Sequence, residues 1–432
     1  MNKFEPLAVM AGSRTPFAKS FTSLSNVSAV DLGTTAVKDL LYQSKIHGDA
    51  IDEVIMGNVS GPPDAANLAR VVSLNAGIPQ DRIAHTVNRN CGSGMESVVA
   101  AWQAINEGRS QLAIAGGTES MSQVPMLWSV EAQAKWLKLA RSKSAWQKFV
   151  TLASFRPRDF KPVVALELGL TDPTCGLNMG QTAELLADKF NITRAEQDAF
   201  SLQSHQRAEA AQQQGFFSGE CTAAVTTDDK IIDMDNAVRK GQSLEQLKKL
   251  RPIFQRDGSV TAGNSCPLTD GAAALLLASA TRAEQSESKP LGYITDYAIA
   301  GCRPEHMGLG PVHATAKLLR NTGFSLKDFD LVEINEAFAS QVIACRRAFE
   351  CQSYAQSELG MSCAIGELRP EITNIHGGAI ALGHPVGTTG TRLILTLLRS
   401  LNETGKRRGL ATLCIGGGQG LSMILETDLE KQ

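Results

Sequence analysis

The sequence predicts an α/β fold made of two similar halves. Strand-like apolar stretches alternate with helical patterns along most of the 432 residues, and such alternation is typical of α/β architectures. A succession of strand, helix and glycine turn near the start of the chain recurs after residue 310. Residues 125–253 interrupt the first half with mixed helical patterns and more polar loops. A chain of this length is expected to form more than one domain.

These observations divide the chain into three parts. The first half is expected over residues 1–124 and resumes at about 254–284. An inserted loop domain is expected over residues 125–253, and the second half over residues 285–432. Predicted elements of the first half, in order, are a strand at Leu7–Met10, a helix at Asp31–Gln43, a strand at 51–58, a helix at Glu96–Asn106, a strand at 111–115 and, after the insertion, a strand at Ala272–Ala278.

The inserted segment and the second half are read in the same way. The clearest helical patterns of the insertion are Gln181–Phe190 and Arg194–Gln214. Predicted elements of the second half are a helix at His313–Arg320, a strand at 329–336, a helix at Arg392–Leu401, a strand at 410–415 and a strand at 421–425.

The repeat places Cys91 and His384 in equivalent positions. Each is followed by a glycine turn, a helix and a strand that ends in glycines. If the halves pack about a pseudo-twofold axis, the N-termini of the two helices meet in one central cleft. We therefore expect Cys91 and His384 to lie close together.

Composition excludes several classes of protein. A net charge of −2 gives no general argument for binding nucleic acid. The nine cysteines are scattered without a C-x-x-C pair, which argues against a disulfide framework and a zinc site, and we predict no metal centre. The N-terminus lacks signal-peptide architecture and no apolar run is long enough to span a bilayer. A cytoplasmic protein is expected.

Cys91 is the first candidate for chemistry. It stands at or just before a predicted helix N-terminus, where the helix dipole is expected to lower the pKa of the thiol. The alternative is a buried structural cysteine, since free cysteines are among the most buried residues. Three other candidates have equally ordinary alternatives when taken singly. His384 could be a structural histidine, Cys414 a small strand residue and Asn335 a helix cap.

Four segments, taken together and in this order, resemble the thiolases: Asn90–Gly94, Asn335–Ala339, Gly378–Pro385 and Cys414–Gly420. The resemblance covers essentially the whole chain and implies a thiolase-like fold. The Gly416–Gly420 run continues into a predicted strand instead of a helix, so it is not a dinucleotide fingerprint.

The resemblance implies roles for five residues. Cys91 would carry the acyl group, His384 would take the proton of its thiol, and Cys414 would be the second acid and base. Asn335 would hold a water that, with His384, polarises one thioester oxygen, while the backbone N–H groups of Cys91 and Gly416 would form a second oxyanion hole. The residue types suit Claisen chemistry on thioesters, which needs a nucleophile, a base and oxyanion stabilisation. Coenzyme A would be a substrate, and no permanently bound cofactor is implied.

Five further residues are predicted to line the substrate pocket: Asn178, Met179, Ser265, Cys266 and His376. Many thiolases carry His where this chain has Asn178, and Ser where it has Cys266. The first departure argues against a short-chain pocket of the acetoacetyl type.

Residues 128–162 contain three of the four tryptophans and eight basic residues against two acidic ones. Such a basic amphipathic segment suits a membrane interface or a partner's groove; the alternative is a helical hairpin packed on itself.

The long insertion resembles thiolase subunits of β-oxidation multienzyme complexes. This favours a degradative 3-ketoacyl-CoA thiolase over an acetoacetyl-CoA thiolase or a non-catalytic lipid-binding subunit. The resemblance also implies a homodimer or dimer of dimers, and a possible hydratase/dehydrogenase partner subunit.

Overall fold

The computed structural model of the protein describes residues 4–429. The strands of this part of the chain are β1 (Leu7–Arg14), β2 (Ala18–Lys19), β3 (Glu53–Gly57), β4 (Ile83–Val87), β5 (Leu112–Glu119), β6 (Met126–Leu127), β7 (Val163–Val164), β8 (Ala224–Val225), β9 (Ile231–Ile232), β10 (Thr269–Ser279), β11 (Gly292–Gly301), β12 (Leu331–Ile334), β13 (Arg408–Ile415) and β14 (Gln419–Glu426).

The α-helices are α1 (Ala29–Ser44), α2 (Leu68–Asn75), α3 (Ser93–Asn106), α4 (Val130–Arg141), α5 (Ala145–Ala153), α6 (Ala165–Gly169), α7 (Met179–Lys189), α8 (Arg194–Gln213), α9 (Leu244–Lys248), α10 (Ala280–Glu284), α11 (Gly310–Thr322), α12 (Ala339–Glu350), α13 (Gln352–Leu359), α14 (Ala379–Leu382) and α15 (Thr389–Thr404).

The main sheet repeats one strand arrangement in two directions from its centre. Its order is β12-β13-β14-β11-β1-β10-β5-β3-β4, and the central strands β1 and β11 pair antiparallel, with Leu7 opposite Ile294. Moving outward, β1, β10, β5 and β3 pair antiparallel, antiparallel and then parallel. On the other side, β11, β14, β13 and β12 also pair antiparallel, antiparallel and then parallel. The prediction of two similar halves about a pseudo-twofold axis is confirmed.

Helices α3 and α15 are buried between the two halves of the sheet. One apolar core contains Val98 and Trp102 of α3, Leu393 and Leu397 of α15, and strand residues from both halves. A second core joins α1 and α2 to the first half, and a third joins α11 and α12 to the second half. The layers are therefore helix, sheet, helix, sheet and helix.

The first turns of α3 and α15 touch. Thr391 Oγ1 donates a hydrogen bond to the Gly94 carbonyl at 3.1 Å. A Cβ atom on Gly94 would lie 2.8 Å from the Thr391 nitrogen, and one on Gly390 would lie 2.4 Å from that of Met95. Only glycine permits this approach. Because the two helix N-termini meet as predicted, the loops that precede them also meet.

The segment that carries three of the four tryptophans forms two short helices. The predicted amphipathic segment is divided between α4 and α5, which contact each other in a hairpin. Trp136 packs against Phe155 and Phe160, with ring centroids 4.9 and 6.3 Å away. In the described part of the chain, no helix has both the length and the apolar character to cross a membrane.

Candidate active site

The loop that carries Cys91 is held in place by hydrogen bonds. Asn90 takes a positive φ of 45°. Ser93, the first residue of α3, accepts a hydrogen bond from the Arg89 nitrogen at 2.9 Å and donates one to the Asn90 carbonyl at 2.7 Å. Asn90 Nδ2 donates to the Gly416 carbonyl at 2.8 Å, which joins this loop to the turn after β13. Cys91 is therefore held against the second half of the molecule.

The prediction of a lowered pKa for Cys91 is wrong. Burial raises the pKa of the thiol, and the negative charge of Glu119 adds to this effect. The backbone N–H groups of Gly416 and of Cys91 itself stabilise the thiolate, which lowers the pKa but does not offset the desolvation. The resting thiol therefore holds its proton, and its nucleophilic attack requires a base.

The same two N–H groups are those predicted to form an oxyanion hole. Both form hydrogen bonds to the Cys91 sulfur, so they are aimed at the position where an acyl group would be attached. Preorganised backbone donors of this kind stabilise the charge that develops during acyl transfer. The arrangement supports the prediction for Cys91 and Gly416.

His384 is buried and is held in one orientation by two threonines. Its backbone nitrogen donates to Thr269 Oγ1 at 3.0 Å, and its Nδ1 lies 2.5 Å from Thr389 Oγ1. The Thr389 hydroxyl donates its only proton to the Pro385 carbonyl at 3.0 Å, so it accepts from His384 Nδ1–H. The other ring nitrogen, Nε2, is then left as a lone pair that can accept a proton.

Burial also keeps the His384 ring neutral. Desolvation, with a smaller contribution from the positive charge of Arg392, lowers the pKa of His384 to about 4. Arg392 lies three residues after Thr389 on α15 and pairs with Glu333 at 3.0 Å. At neutral pH the ring is therefore a free base.

Asn335 faces His384 from the end of β12. Its Nδ2 lies 3.5 Å from His384 Nε2, and its Oδ1 is buried without a hydrogen-bond partner among the described residues. The helix-cap alternative does not apply, because α12 begins at Ala339 with Phe338 at its cap position. A buried, unpartnered oxygen beside an imidazole fits the predicted water site.

Cys414 lies near the end of β13, opposite Gly420 of β14, and is 1% exposed. Burial raises the pKa of its thiol well above the ordinary value, and the neighbouring cysteines Cys91, Cys345 and Cys266 add to the effect. In the resting protein Cys414 is therefore a protonated thiol. Such a group can give a proton to a carbanion and take one back.

The predicted pocket residues divide into two groups. Met179 packs with Cys414 in one apolar cluster, and a Cβ on Gly416 would lie 3.3 Å from its sulfur. Cys266 is electrostatically coupled to Cys91, and burial raises its pKa to about 12. These two residues belong to the neighbourhood of the site.

Asn178 and Ser265 have their side chains engaged by the fold. Asn178 caps α7, its side-chain oxygen accepting from the Gln181 nitrogen at 2.9 Å. The Ser265 hydroxyl donates to the Thr261 carbonyl at 2.7 Å. Both lie next in sequence to a residue of the site, but these contacts give their side chains a structural part.

The structure places His376 away from the site. Its ring stacks on Phe216, with centroids 3.7 Å apart, and its Nε2 lies 3.1 Å from Glu403. Glu403 is at the C-terminal end of α15, whereas the Thr389 partner of His384 is at the N-terminal end. The two positions are about 20 Å apart along the helix axis. Proximity in sequence to His384 was misleading here.

Thr389, Thr269 and Glu119 were not identified from the sequence. Thr389 is a hydroxyl residue in the first turn of a helix close after a candidate histidine, a signal that could have revealed it. Thr269 lies 115 residues from His384 in the chain, so no local pattern connects them. In residues 4–429, no group of three or more His, Cys, Asp or Glu side chains is arranged to hold a metal ion.

Comparisons with known proteins identify the family of the chain. Residues 7–281 match the family model "Thiolase, N-terminal domain", and residues 288–427 match "Thiolase, C-terminal domain". A 3-ketoacyl-CoA thiolase of Shewanella halifaxensis is 39% identical over 427 residues, which are 98% of this chain and 97% of that protein. One from Colwellia psychrerythraea is 38% identical over 98% of each chain.

Solved structures show the same likeness. Human mitochondrial 3-ketoacyl-CoA thiolase in complex with CoA is 37% identical, with a TM-score of 0.85 and coverage of 98% of both chains. Bacillus anthracis acetyl-CoA acetyltransferase is 32% identical, with a TM-score of 0.86 over 99% of this chain and 100% of that one. With both family models and full-length relatives in agreement, the chain belongs to the thiolase family.

Proposed function

We propose that the protein is a 3-ketoacyl-CoA thiolase of fatty acid β-oxidation. It cleaves 3-ketoacyl-CoA with coenzyme A to acetyl-CoA and a shortened acyl-CoA, through an acyl group carried on Cys91. The observation that carries this proposal is the set of groups around one sulfur: the N–H groups of Cys91 and Gly416, the nearby Cys414 thiol and, on the loop that meets the Cys91 loop, the neutral His384. The names of the full-length relatives support the substrate class.

In the first stage, His384 Nε2 accepts the proton of the Cys91 thiol. The thiolate attacks the 3-keto carbon, and the oxygen of the resulting tetrahedral centre is stabilised by the N–H groups of Cys91 and Gly416. The bond between C2 and C3 of the substrate then breaks. Its electron pair stays with the acetyl-CoA fragment as an enolate, whose oxygen is stabilised by protonated His384 and the water on Asn335.

Cys414 completes this stage and begins the next. Its thiol gives a proton to the enolate carbon, which releases acetyl-CoA, and the resulting Cys414 thiolate takes the proton of an incoming coenzyme A thiol. The coenzyme A thiolate attacks the thioester on Cys91. A shortened acyl-CoA leaves, and the Cys91 thiolate recovers its proton from His384. The high pKa of Cys414 suits a group that protonates a carbanion.

Thiolysis of 3-ketoacyl-CoA substrates across chain lengths tests the proposed function. We expect turnover of substrates longer than acetoacetyl-CoA, and its loss in Cys91→Ala. A preference confined to acetoacetyl-CoA would instead assign an acetoacetyl-CoA thiolase. Binding of acyl-CoA by wild type without any turnover would assign a non-catalytic lipid-binding subunit.

We infer a homodimer or a dimer of dimers in the cytoplasm. In the described part of the chain, β4 is the last strand of the main sheet and is partly exposed, with Ile83 at 50%. An unpaired edge of this kind is suited to pairing with a second copy. The nine cysteines are free thiols, which suits a reducing compartment. Sedimentation equilibrium is expected to give a dimeric or tetrameric mass, and a monomer would contradict the inference.

The α4–α5 hairpin is proposed as a contact for a membrane surface or for a hydratase/dehydrogenase subunit. Trp136 is packed within the hairpin, but Trp146 and Phe149 stack on each other at 5.9 Å and are 71% and 62% exposed. Lys138 and Arg141 line a groove of about 680 Å³ next to Trp146. Exposed aromatic rings beside basic side chains suit either partner.

Flotation with vesicles of anionic phospholipid distinguishes the two partners. Binding that is lost in Trp146→Ala assigns a membrane surface. Failure to float, combined with Trp146-dependent association with a co-expressed hydratase/dehydrogenase subunit, assigns the subunit. Tyr42→Ala is the matched control, since Tyr42 is an 84% exposed aromatic residue on α1. Equal behaviour of Trp146→Ala and wild type in both assays would refute the proposed contact.

A further inference from the structure

A buried carboxylate at the end of β5 gathers five hydrogen bonds. Glu119 is 0% exposed. Its Oε1 accepts from Asn58 Nδ2 and the Ser60 nitrogen at 3.0 Å, and from Ser60 Oγ at 2.5 Å. Its Oε2 accepts from the Val59 nitrogen at 3.0 Å and from the Gly387 nitrogen at 2.9 Å. Only the last of these donors belongs to the second half of the molecule.

Gly387 is inserted into a slot made by glycines of the first half. A Cβ on Gly117, in β5, would lie 2.0 Å from the Gly387 carbonyl oxygen, and one on Gly57, at the end of β3, would lie 2.8 Å from it. A Cβ on Gly387 itself would lie 2.8 Å from Glu119 Oε2. The turn therefore rests directly on the strand ends, with the Glu119 carboxylate as its polar anchor.

The same turn connects His384 to its hydroxyl partner. Gly387 stands between His384 and Thr389, and the adjacent Thr388 Oγ1 donates to the Gly271 carbonyl at 2.9 Å. Movement of Gly387 would thus move both the ring and the group that orients it. Cys91 belongs to the half that carries Glu119. The carboxylate therefore connects the half that positions Cys91 to the turn that positions His384.

We propose that Glu119 is a positioning residue, which sets the place of His384 relative to Cys91 by anchoring the Gly387 turn. Four of its five partners are N–H groups, which only donate. In either orientation, the amide of a glutamine would direct its N–H₂ group toward two of these N–H donors, so glutamine cannot replace the carboxylate. The role assigned to His384 rests on the proposed function, but the anchoring of the turn does not.

The test compares three variants with wild type. Because a displacement of about 1 Å in a catalytic group can cost on the order of 100-fold in rate, Glu119→Gln is expected to lower kcat by about 10- to 100-fold, with KM within about threefold. Glu119→Asp keeps the negative charge but has a shorter side chain, so its kcat should lie between those of wild type and Glu119→Gln. Ser60→Ala removes one hydrogen bond on the side of Glu119 away from Gly387 and is the matched control, with kcat near wild type.

A second measurement separates this proposal from the proposed function. The rate of Cys91 alkylation by iodoacetamide, followed against pH, reports the coupling between the thiol and His384 without requiring thiolysis. A changed profile in Glu119→Gln, with Ser60→Ala like wild type, supports the positioning role even if wild type fails to cleave 3-ketoacyl-CoA. If Glu119→Gln does not fold, Glu119→Asp carries the test. An unchanged kcat and alkylation profile in a folded Glu119 variant would overturn the proposal.

Discussion

Thr389→Val tests whether one hydroxyl determines which nitrogen of His384 acts as the base. In the wild type, Thr389 Oγ1 donates to the Pro385 carbonyl and accepts from His384 Nδ1–H, which leaves Nε2 free. Valine has nearly the same shape but no acceptor. The buried Nδ1–H group would then have no partner, which favours the tautomer with its proton on Nε2, the nitrogen that faces the Asn335 side chain.

The size of the effect follows from the cost of an unsatisfied buried donor. Leaving such a group without a partner costs about 1–3 kcal/mol. Since 1.36 kcal/mol corresponds to a factor of ten in rate, kcat should fall by roughly 5- to 150-fold. Thr389→Ser keeps the hydroxyl and is expected to retain kcat within about threefold. The two variants therefore separate the loss of the acceptor from the loss of packing.

The assay is the steady-state cleavage of 3-ketoacyl-CoA, measured by the disappearance of its enolate absorbance at saturating coenzyme A. Circular dichroism and thermal melting confirm that each variant is folded. Wild-type kcat in folded Thr389→Val would refute the assignment of Nε2 as the base through this hydrogen bond. Equal losses in the serine and valine variants would attribute the effect to packing alone.

Three further predictions follow from the burial of ionisable groups. Because the pKa of His384 is lowered to about 4, the acid limb of kcat/KM should have its midpoint well below the ordinary value of 6.5; a midpoint near 6.5 would contradict the neutral, buried ring. Cys414→Ser should lower kcat by about 10²- to 10⁴-fold, while Cys91 is still acylated by acetyl-CoA because coenzyme A can leave as a thiolate; loss of both would show that acylation of Cys91 also requires the Cys414 thiol. Asp235→Ala leaves the buried Arg14 guanidinium without one of its two carboxylates and should lower the unfolding free energy by about 3–5 kcal/mol in denaturant titrations. Asp228→Ala, which removes an exposed partner of Lys230, is the control expected to unfold like wild type.

Local patterns were sufficient for the architecture and for the residues of the repeated unit. The helical spacing after Cys91 and after His384 predicts α3 and α15 because the apolar residues of both helices pack in the same core. Strand boundaries were less accurate. The predicted strand Leu7–Met10 extends in the structure to Arg14, because pairing with β10 continues past the apolar residues through Gly12 and Ser13.

The electrostatics of the site depend on packing between distant segments, and the sequence alone does not reveal it. The position of Cys91 near a helix N-terminus suggested a lowered pKa, but desolvation of the thiol in the folded protein raises it. His376 is only eight residues from His384 in the sequence. It nevertheless contacts Glu403 at the C-terminal end of α15, whereas His384 lies at the N-terminal end. The pairing of Glu119 with Gly387 joins residues 268 positions apart, and no spacing rule predicts such a contact.

The direct test of the central claim is the identification of the residue that carries the acyl group. Wild-type protein is incubated with acetyl-CoA, quenched in acid, digested and analysed by mass spectrometry, with Cys91→Ala treated in parallel. The account predicts one acetyl group on the peptide that contains Cys91 and none in the variant. Acetylation of Cys414 or Cys266 in the wild type, or undiminished labelling of Cys91→Ala, would contradict it.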